Sequence, residues 1–330
     1  MIRSTVCFAA AALLGLMSAC AQTTDVPLWG SYGGPACHAR DRLRALDEAV
    51  GSPQTVVLDF LAADSWQAMV STAKLVARCH PAGQGRRLVL SVPLVPRSQA
   101  EQLDLVAQGQ LDETFASIAR ILVHGGHHDA IIRLGWEFNG SWFPWRAKGR
   151  EERWKSAWRR AVGAMRASTG QAFLFDWTYT LSDHDATPVE LAYPGDDVVD
   201  VIGADFYHQT WFQDAPNESL RWQRYLKAPR GLDWLSQFAG ARGKWISLPE
   251  WGTGYRPDGH GGGDSPVFVG NTLRWIASNR VLYHAYWNYP ARDYRAELSA
   301  TDLQGARAAY VQGMRLQLKA VGAQRRGSGL

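Results

Sequence analysis

Eight times along the chain, a short apolar run rich in β-formers is followed by a longer segment of helical period. The runs are Leu28–Tyr32, Thr55–Leu61, Arg87–Val92, Ala130–Glu137, Ala172–Trp177, Val199–Tyr207, Lys244–Glu250 and Val281–Asn288. Between and after them lie Asp41–Val50, Ser65–Cys79, Gln99–His124, Arg150–Ala167, Pro188–Ala192, Leu220–Ala239, Val267–Ser278 and Asp302–Ala320. Strands that alternate with helices pair in parallel, because each helix carries the chain back to the edge from which the next strand starts. Eight such units close on themselves. The alternation therefore predicts a single-domain α/β fold, the (β/α)8 TIM barrel. A doubly wound sheet would want a glycine-rich phosphate loop after its first strand, and Gly30-Ser31-Tyr32-Gly33-Gly34 lacks the spacing.

The ends of the chain read differently. Met1-Ile2-Arg3 gives a positive start, and Val6 to Met17 is apolar but too short to span a bilayer. Ser18-Ala19-Cys20 then matches a lipoprotein processing site, with Cys20 as the lipidated residue, while Ala19-Cys20-Ala21 also fits cleavage for free secretion. Residues 1–21 are thus expected to be an export signal, 22–320 the folded domain and 321–330 a flexible tail. Export places the protein in the periplasm, on the outer membrane through a lipid tether, or outside a bacterial cell. Cys37 and Cys79 remain, an even number suited to an oxidising compartment. Upright neighbouring helices would hold them about a helix length apart, beyond disulfide reach, so the pairing stays open. A net charge of +4 with scattered basic residues argues against a nucleic-acid partner.

The chemistry gathers at two strand ends. Glu137 follows Ala130-Ile131-Ile132, and Trp136, Trp142 and Trp145 surround it. Glu250 occupies the same place on the seventh strand, followed by Trp251. Barrel enzymes carry their chemistry at the C-terminal strand ends, and paired carboxylates there suit glycosidic bond cleavage. One carboxyl must stay protonated near neutral pH in an apolar setting beside an anion; the other must stay ionised. Fifteen Trp exceed what a core needs, and those on loops offer faces for sugar rings.

The run from Arg133 through Glu137-Phe138-Asn139-Gly140-Ser141-Trp142-Phe143-Pro144-Trp145 resembles glycoside hydrolase family 26, the family of the bacterial β-mannanases. So do Tyr193-Pro194-Gly195-Asp196 through Gly203-Ala204-Asp205-Phe206-Tyr207, and Leu248-Pro249-Glu250-Trp251-Gly252. The resemblance implies a retaining endo-β-glycanase with Glu137 as acid/base and Glu250 as nucleophile. It implies that Tyr207 bonds the nucleophile, that Trp142 and Trp287 wall the sugar at the cleavage point, and that Arg133 holds a carboxylate charged. Asn139, His208 and Trp251 join Arg133 and Trp136 as further expected substrate contacts. The family's mannanases carry His immediately before the acid/base, where this chain has Trp136, which points away from β-1,4-mannan. A β-glucan or a bacterial exopolysaccharide is the alternative, and an envelope anchor favours the latter.

Other features have plainer readings. Asp176 and Asp205 suit structural hydrogen bonding as well as sugar contact. His124, His127 and His128 fall at the far end of the barrel and read as solvated. Asp183-His184-Asp185 is weak evidence for a metal, and no cofactor or metal is implied. The glycine-rich Arg256–Asp264 loop reads as a lid or a connector. A monomer is expected, with a polysaccharide as its partner. The rival functions are a catalytically silent carbohydrate-binding barrel, which would need no paired Glu, and a transglycosylase using the same residues.

Overall fold

The computed structural model describes residues 26–181, 188–211, 213 and 215–327, with side chains to 320. Asp183-His184-Asp185 lies outside them. Eight parallel strands close into a barrel in chain order: β1 (Leu28–Tyr32), β2 (Val56–Phe60), β3 (Arg87–Val92), β4 (Ile131–Leu134), β5 (Leu174–Thr180), β6 (Val201–Tyr207), β7 (Trp245–Gly252) and β8 (Val281–Trp287). Around them run α1 (Arg40–Val50), α2 (Trp66–Cys79), α3 (Leu103–Ala107), α4 (Asp112–His124), α5 (Glu151–Arg166), α6 (Glu218–Lys227), α7 (Leu232–Ala241), α8 (Pro266–Ser278) and α9 (Gln304–Gly327). The eightfold alternation thus gives the barrel that it predicts.

Two long helical segments are broken where the backbone demands it. Gly109, at φ 82°, separates α3 from α4, and Arg230, at φ 61°, falls in the turn between α6 and α7. Gly231 there approaches the Tyr225 carbonyl so closely that a Cβ would lie 2.6 Å from it. At the C-terminal end, α9 continues to Gly327, past the point where a tail is expected. Side-chain caps start other helices: Ser65, Asn217 and Ser265 each accept from a backbone N–H three residues on.

The lower interior of the barrel is an apolar plug built from Val56, Leu58, Val89, Ile131 and Val201, against Tyr283. Above it lies a polar layer. Asp176 accepts from Tyr283 Oη at 2.5 Å, Ser247 Oγ at 2.7 Å and Thr178 Oγ1 at 2.9 Å. Gly203 makes room for this layer, since a Cβ there would lie 2.3 Å from Ser247 Oγ. Asp176 is therefore a structural hydrogen-bond hub, out of reach of a ligand. Burial raises its pKa, and its three donors and Arg133 counter the rise.

Cys37 and Cys79 are bridged, with Cα atoms 4.8 Å apart. The expectation from upright helices fails because Cys37 sits in a 3-10 turn ahead of α1, and that turn lies against α2. Asp59 on β2 ties both ends together. Its Oδ2 accepts from the Ala36 N–H at 2.8 Å and meets His80 Nε2 at 2.9 Å. Among the described residues no helix is long and apolar enough to cross a membrane.

Candidate active site

β4 ends at Leu134, earlier than its apolar run suggests, and Glu137 stands in the turn beyond it. The turn re-aims the chain through left-handed backbone at Gly135 (φ 57°) and at Glu137 itself (φ 51°). Such a φ is rare for a residue with a side chain and is tolerated where the surroundings over-determine it. Here they do. The Glu137 N–H donates to the Thr178 carbonyl of β5 at 2.9 Å. Asn139 clamps the same strand: its Nδ2 donates to Thr180 O, and its Oδ1 accepts from Thr180 N, each at 2.9 Å. Buried, with one donor and its oxygen engaged by Thr180, Asn139 is a clasp for the loop.

Glu250 lies within β7 and is almost buried, 6% exposed. Each of its oxygens has its own donor. Arg133 Nη1 donates to Oε1 at 2.9 Å, and Tyr207 Oη donates to Oε2 at 2.7 Å. Arg133 is fully buried. Its Nη1 also donates to Ser91 Oγ at 2.8 Å, its Nη2 to Asp205 Oδ2 at 2.5 Å, and its guanidinium sits 5.9 Å from the Phe60 ring centroid. Arg133 thus lies beneath the cleft and acts on the carboxylates, which corrects its expected place among the substrate contacts. Asp205 is likewise structural. Burial pushes its carboxyl far above the usual range, with Arg133 opposing.

Glu137 has the opposite environment. It is raised to about 7, first by burial and then by the nearby Glu250 charge. Hydrogen bonds from Trp142 and Thr180, and the Arg133 charge, hold it from rising further. Trp142 is half exposed, and its Nε1 donates to Glu137 Oε2 at 2.8 Å. The two carboxyls act on one another, one favouring its proton and the other wrapped in donors, the contrast that an acid and a base in one cleft require.

Aromatic rings wall the mouth. Trp287, at the end of β8, lies 4.6 Å from Tyr32, 6.0 Å from Phe60 and 6.0 Å from Tyr207, between ring centroids. Phe60 in turn contacts Trp136 at 5.4 Å. Tyr32 and Phe60 end β1 and β2; the strand-end logic that singles out Glu137 and Glu250 would have found them too. Trp136 is only 6% exposed and is wedged between Phe60, Phe143 and Trp145. It supports the wall from behind and offers substrate little surface.

Two other expected contacts are elsewhere. Trp251 is fully buried outside the barrel against Tyr286 and Tyr310, with its Nε1 directed at His284. It alternates with Glu250, so when one faces the mouth the other faces the helices. His208 alternates with Tyr207 for the same reason. It stacks on Phe268 with centroids 4.8 Å apart, meets Thr253 Oγ1 at 3.0 Å and accepts from Arg221 Nε at 3.2 Å. Burial and the Arg221 charge depress it to about 3, so it is a neutral core imidazole.

The Arg256–Asp264 loop is a pinned connector. Gly262 N donates to His208 O, Gly263 N to Gly254 O, and Thr253 Oγ1 to Gly263 O. Asp264 accepts from the first N–H groups of α9. Of the far-end histidines, His124 and His128 are exposed, but His127 is buried and its pKa lowered by desolvation, which corrects the solvated reading. Among the described residues no three His, Cys, Asp or Glu are arranged to hold a metal.

Residues 100–245 match the family model of Glycosyl hydrolase family 26. That match spans the acid/base loop and the β6 segment and bears out both the family resemblance and the reading of the chain as a glycoside hydrolase. No curated protein matches the chain. Among solved structures, it is similar to a GH26 β-mannanase from Bacteroides ovatus at 19% identity and TM-score 0.55, covering 86% of this chain and 89% of that one. A GH5_18 protein from Streptomyces cattleya in complex with Manβ1-4GlcNAc gives 16% identity and TM-score 0.56, covering 86% and 79%. Fungal β-1,4-galactanases give 9% and 0.55, covering 86% and 98%. At these identities the structural likeness speaks to the barrel alone.

Proposed function

We propose that this glycoside hydrolase, similar to family 26 over residues 100–245, cleaves a β-linked polysaccharide internally with retention of configuration, Glu137 serving as acid/base and Glu250 as nucleophile. The observation that carries this reading is the contrast between the two carboxyls. Glu137 is raised to about 7 and can hold a proton at neutral pH. Glu250 receives Arg133 and Tyr207, donors that complement an anion. In the first step a Glu250 oxygen attacks the anomeric carbon as the bond to the leaving oxygen breaks, and Glu137 gives that oxygen its proton. In the second, Glu137 takes a proton from water as the water displaces Glu250. A retaining pair needs carboxyls about 5–5.5 Å apart. Trp142 and Trp287 supply the walls for the sugar ring.

Trp136 stands where the family's mannanases carry His, but it packs behind the wall and offers substrate little surface. Its indole therefore does not disfavour β-1,4-mannan, which stands beside a mixed-linkage glucan and the bacterium's own exopolysaccharide as a candidate substrate. Export, with a lipid on Cys20 holding a monomer at the envelope, would keep the enzyme beside such a polymer. Screening the purified protein against β-glycans and against polysaccharide from its own source identifies the substrate. Mannan turnover above that of every other glycan would exclude the glucan and exopolysaccharide alternatives. On the identified substrate, Glu250→Ala should abolish turnover, and azide should restore it as an α-glycosyl azide. Wild-type activity in that variant would remove Glu250 from the nucleophile's role.

A further inference from the structure

The indole of Trp142 makes a contact that a sugar platform alone does not require. Its Nε1 donates to Glu137 Oε2 at 2.8 Å while half of the residue stays open to solvent. The ring is seated on Gly140. A Cβ there would lie 2.5 Å from the indole Cη2 and Cζ2 and 2.7 Å from Cε2. Glycine at 140 therefore lets the six-membered ring lie flat on the loop backbone and sets the height of the N–H. An N–H aimed at one oxygen favours a lone pair there and leaves the proton to the other.

We propose that Trp142 is a positioning residue for the acid/base: its N–H occupies Oε2 of Glu137 and so assigns the catalytic proton to Oε1. The inference rests on the proposed role of Glu137 as acid. Oε1 then gives its proton to the glycosidic oxygen as that oxygen leaves the anomeric carbon and a Glu250 oxygen bonds to it. Left on Oε1, the pair of electrons is stabilised by the Trp142 bond to Oε2, so the same contact that orients the acid also favours its conjugate base. The other groups that act on Glu137 are Glu250 from β7, Arg133 from β4, Asp205 and Tyr207 from β6, and Thr180 from β5. None of them is as exposed as Trp142, and among the described residues Trp142 alone both donates to Glu137 and stays half open to solvent.

Trp142→Phe keeps a stacking ring and deletes the N–H; Gly140→Ala keeps the N–H and lifts the ring. Both should raise the titration midpoint of the Glu137 carboxyl, read by 13C NMR, by about half a unit or more. Neither reading needs turnover, so it stands apart from the functional assignment. In kinetics, kcat on the identified glycan should fall about tenfold, a part of the acid's usual contribution, with KM little changed. Rates on dinitrophenyl β-cellobioside or β-mannobioside, whose leaving group needs no proton, should fall less in the glycosylation step than rates on the glycan. An unmoved Glu137 midpoint in both variants would overturn the proposal, as would a Trp142→Phe effect confined to KM. No turnover of any glycoside by the wild type, with the midpoint still moving in both variants, would overturn the hydrolase reading and leave the hydrogen bond's role supported.

Discussion

Arg133 is the residue on which the site depends. It is a fully buried cation shared between Glu250 and Asp205, with Ser91 taking a third hydrogen bond. Removing one partner of such a cluster leaves uncompensated charge in a dry interior, at a cost of about 3–5 kcal/mol. Arg133→Met should therefore lower stability by that order in urea unfolding and abolish activity. A stable, active variant would show that the cluster is not needed. Glu137 gives a second prediction at this scale. Only its protonated form can act as acid, so kcat/KM should fall as pH rises through about 7. Glu250→Gln removes the anion that helps to raise it, and the Glu137 midpoint, followed by carboxyl NMR, should drop in that variant. Sequence reading singled out Glu137 and Glu250 from strand-end position and motif, and Tyr207 and Trp142 from the family resemblance; the structure brings all four to one mouth. It could not see that Arg133 points beneath the cleft instead of into it, because burial below a mouth and exposure within it share one inward-facing pattern.

At the scale of elements, most of the barrel was legible because period-2 and period-3.6 patterns are properties of the sequence itself. The misreadings came from strand ends. β4 stops at Leu134, and the left-handed turn that follows carries Glu137 to the mouth; no local residue preference announces a left-handed glutamate. Trp251 and His208 were expected at the substrate because they neighbour Glu250 and Tyr207. The alternation along a strand already argues that they face the helices, and they do. Asn139 looked like a sugar contact for the same reason of proximity, and is the clasp that holds the acid/base loop to β5. Asn139→Ala loses two buried hydrogen bonds and leaves the Thr180 N–H and carbonyl unpaired there. It should destabilise the protein by about 1–3 kcal/mol and lower kcat without raising KM. Equal thermal unfolding and kcat in variant and parent would show that the loop is held by other means.

The whole molecule couples its fold to pH through histidines that burial keeps neutral. His208 and His284 are both depressed to about 3. Between that value and about 6.5, the unfolded chain binds protons that the folded chain refuses, so stability is lost as pH falls through this window. Glu137 works in the opposite sense, since its raised carboxyl keeps a proton that the unfolded chain releases between about 4.5 and 7. His284→Leu should flatten the slope of stability against pH between about 4 and 6 by roughly 1.4 kcal/mol per unit. An unchanged slope would mean that His284 is protonated without cost. The Cys37–Cys79 bridge was the global feature least legible in sequence, because it depends on how a 3-10 turn meets α2 and not on either segment alone. The central claim is a retaining hydrolase built from Glu137 and Glu250. Its most direct test is 1H NMR of the first-formed reducing end during cleavage of the identified β-glycan. The account predicts a β anomer that only later mutarotates. An α anomer as the first product would mean inversion, and Glu250 could not then be the nucleophile.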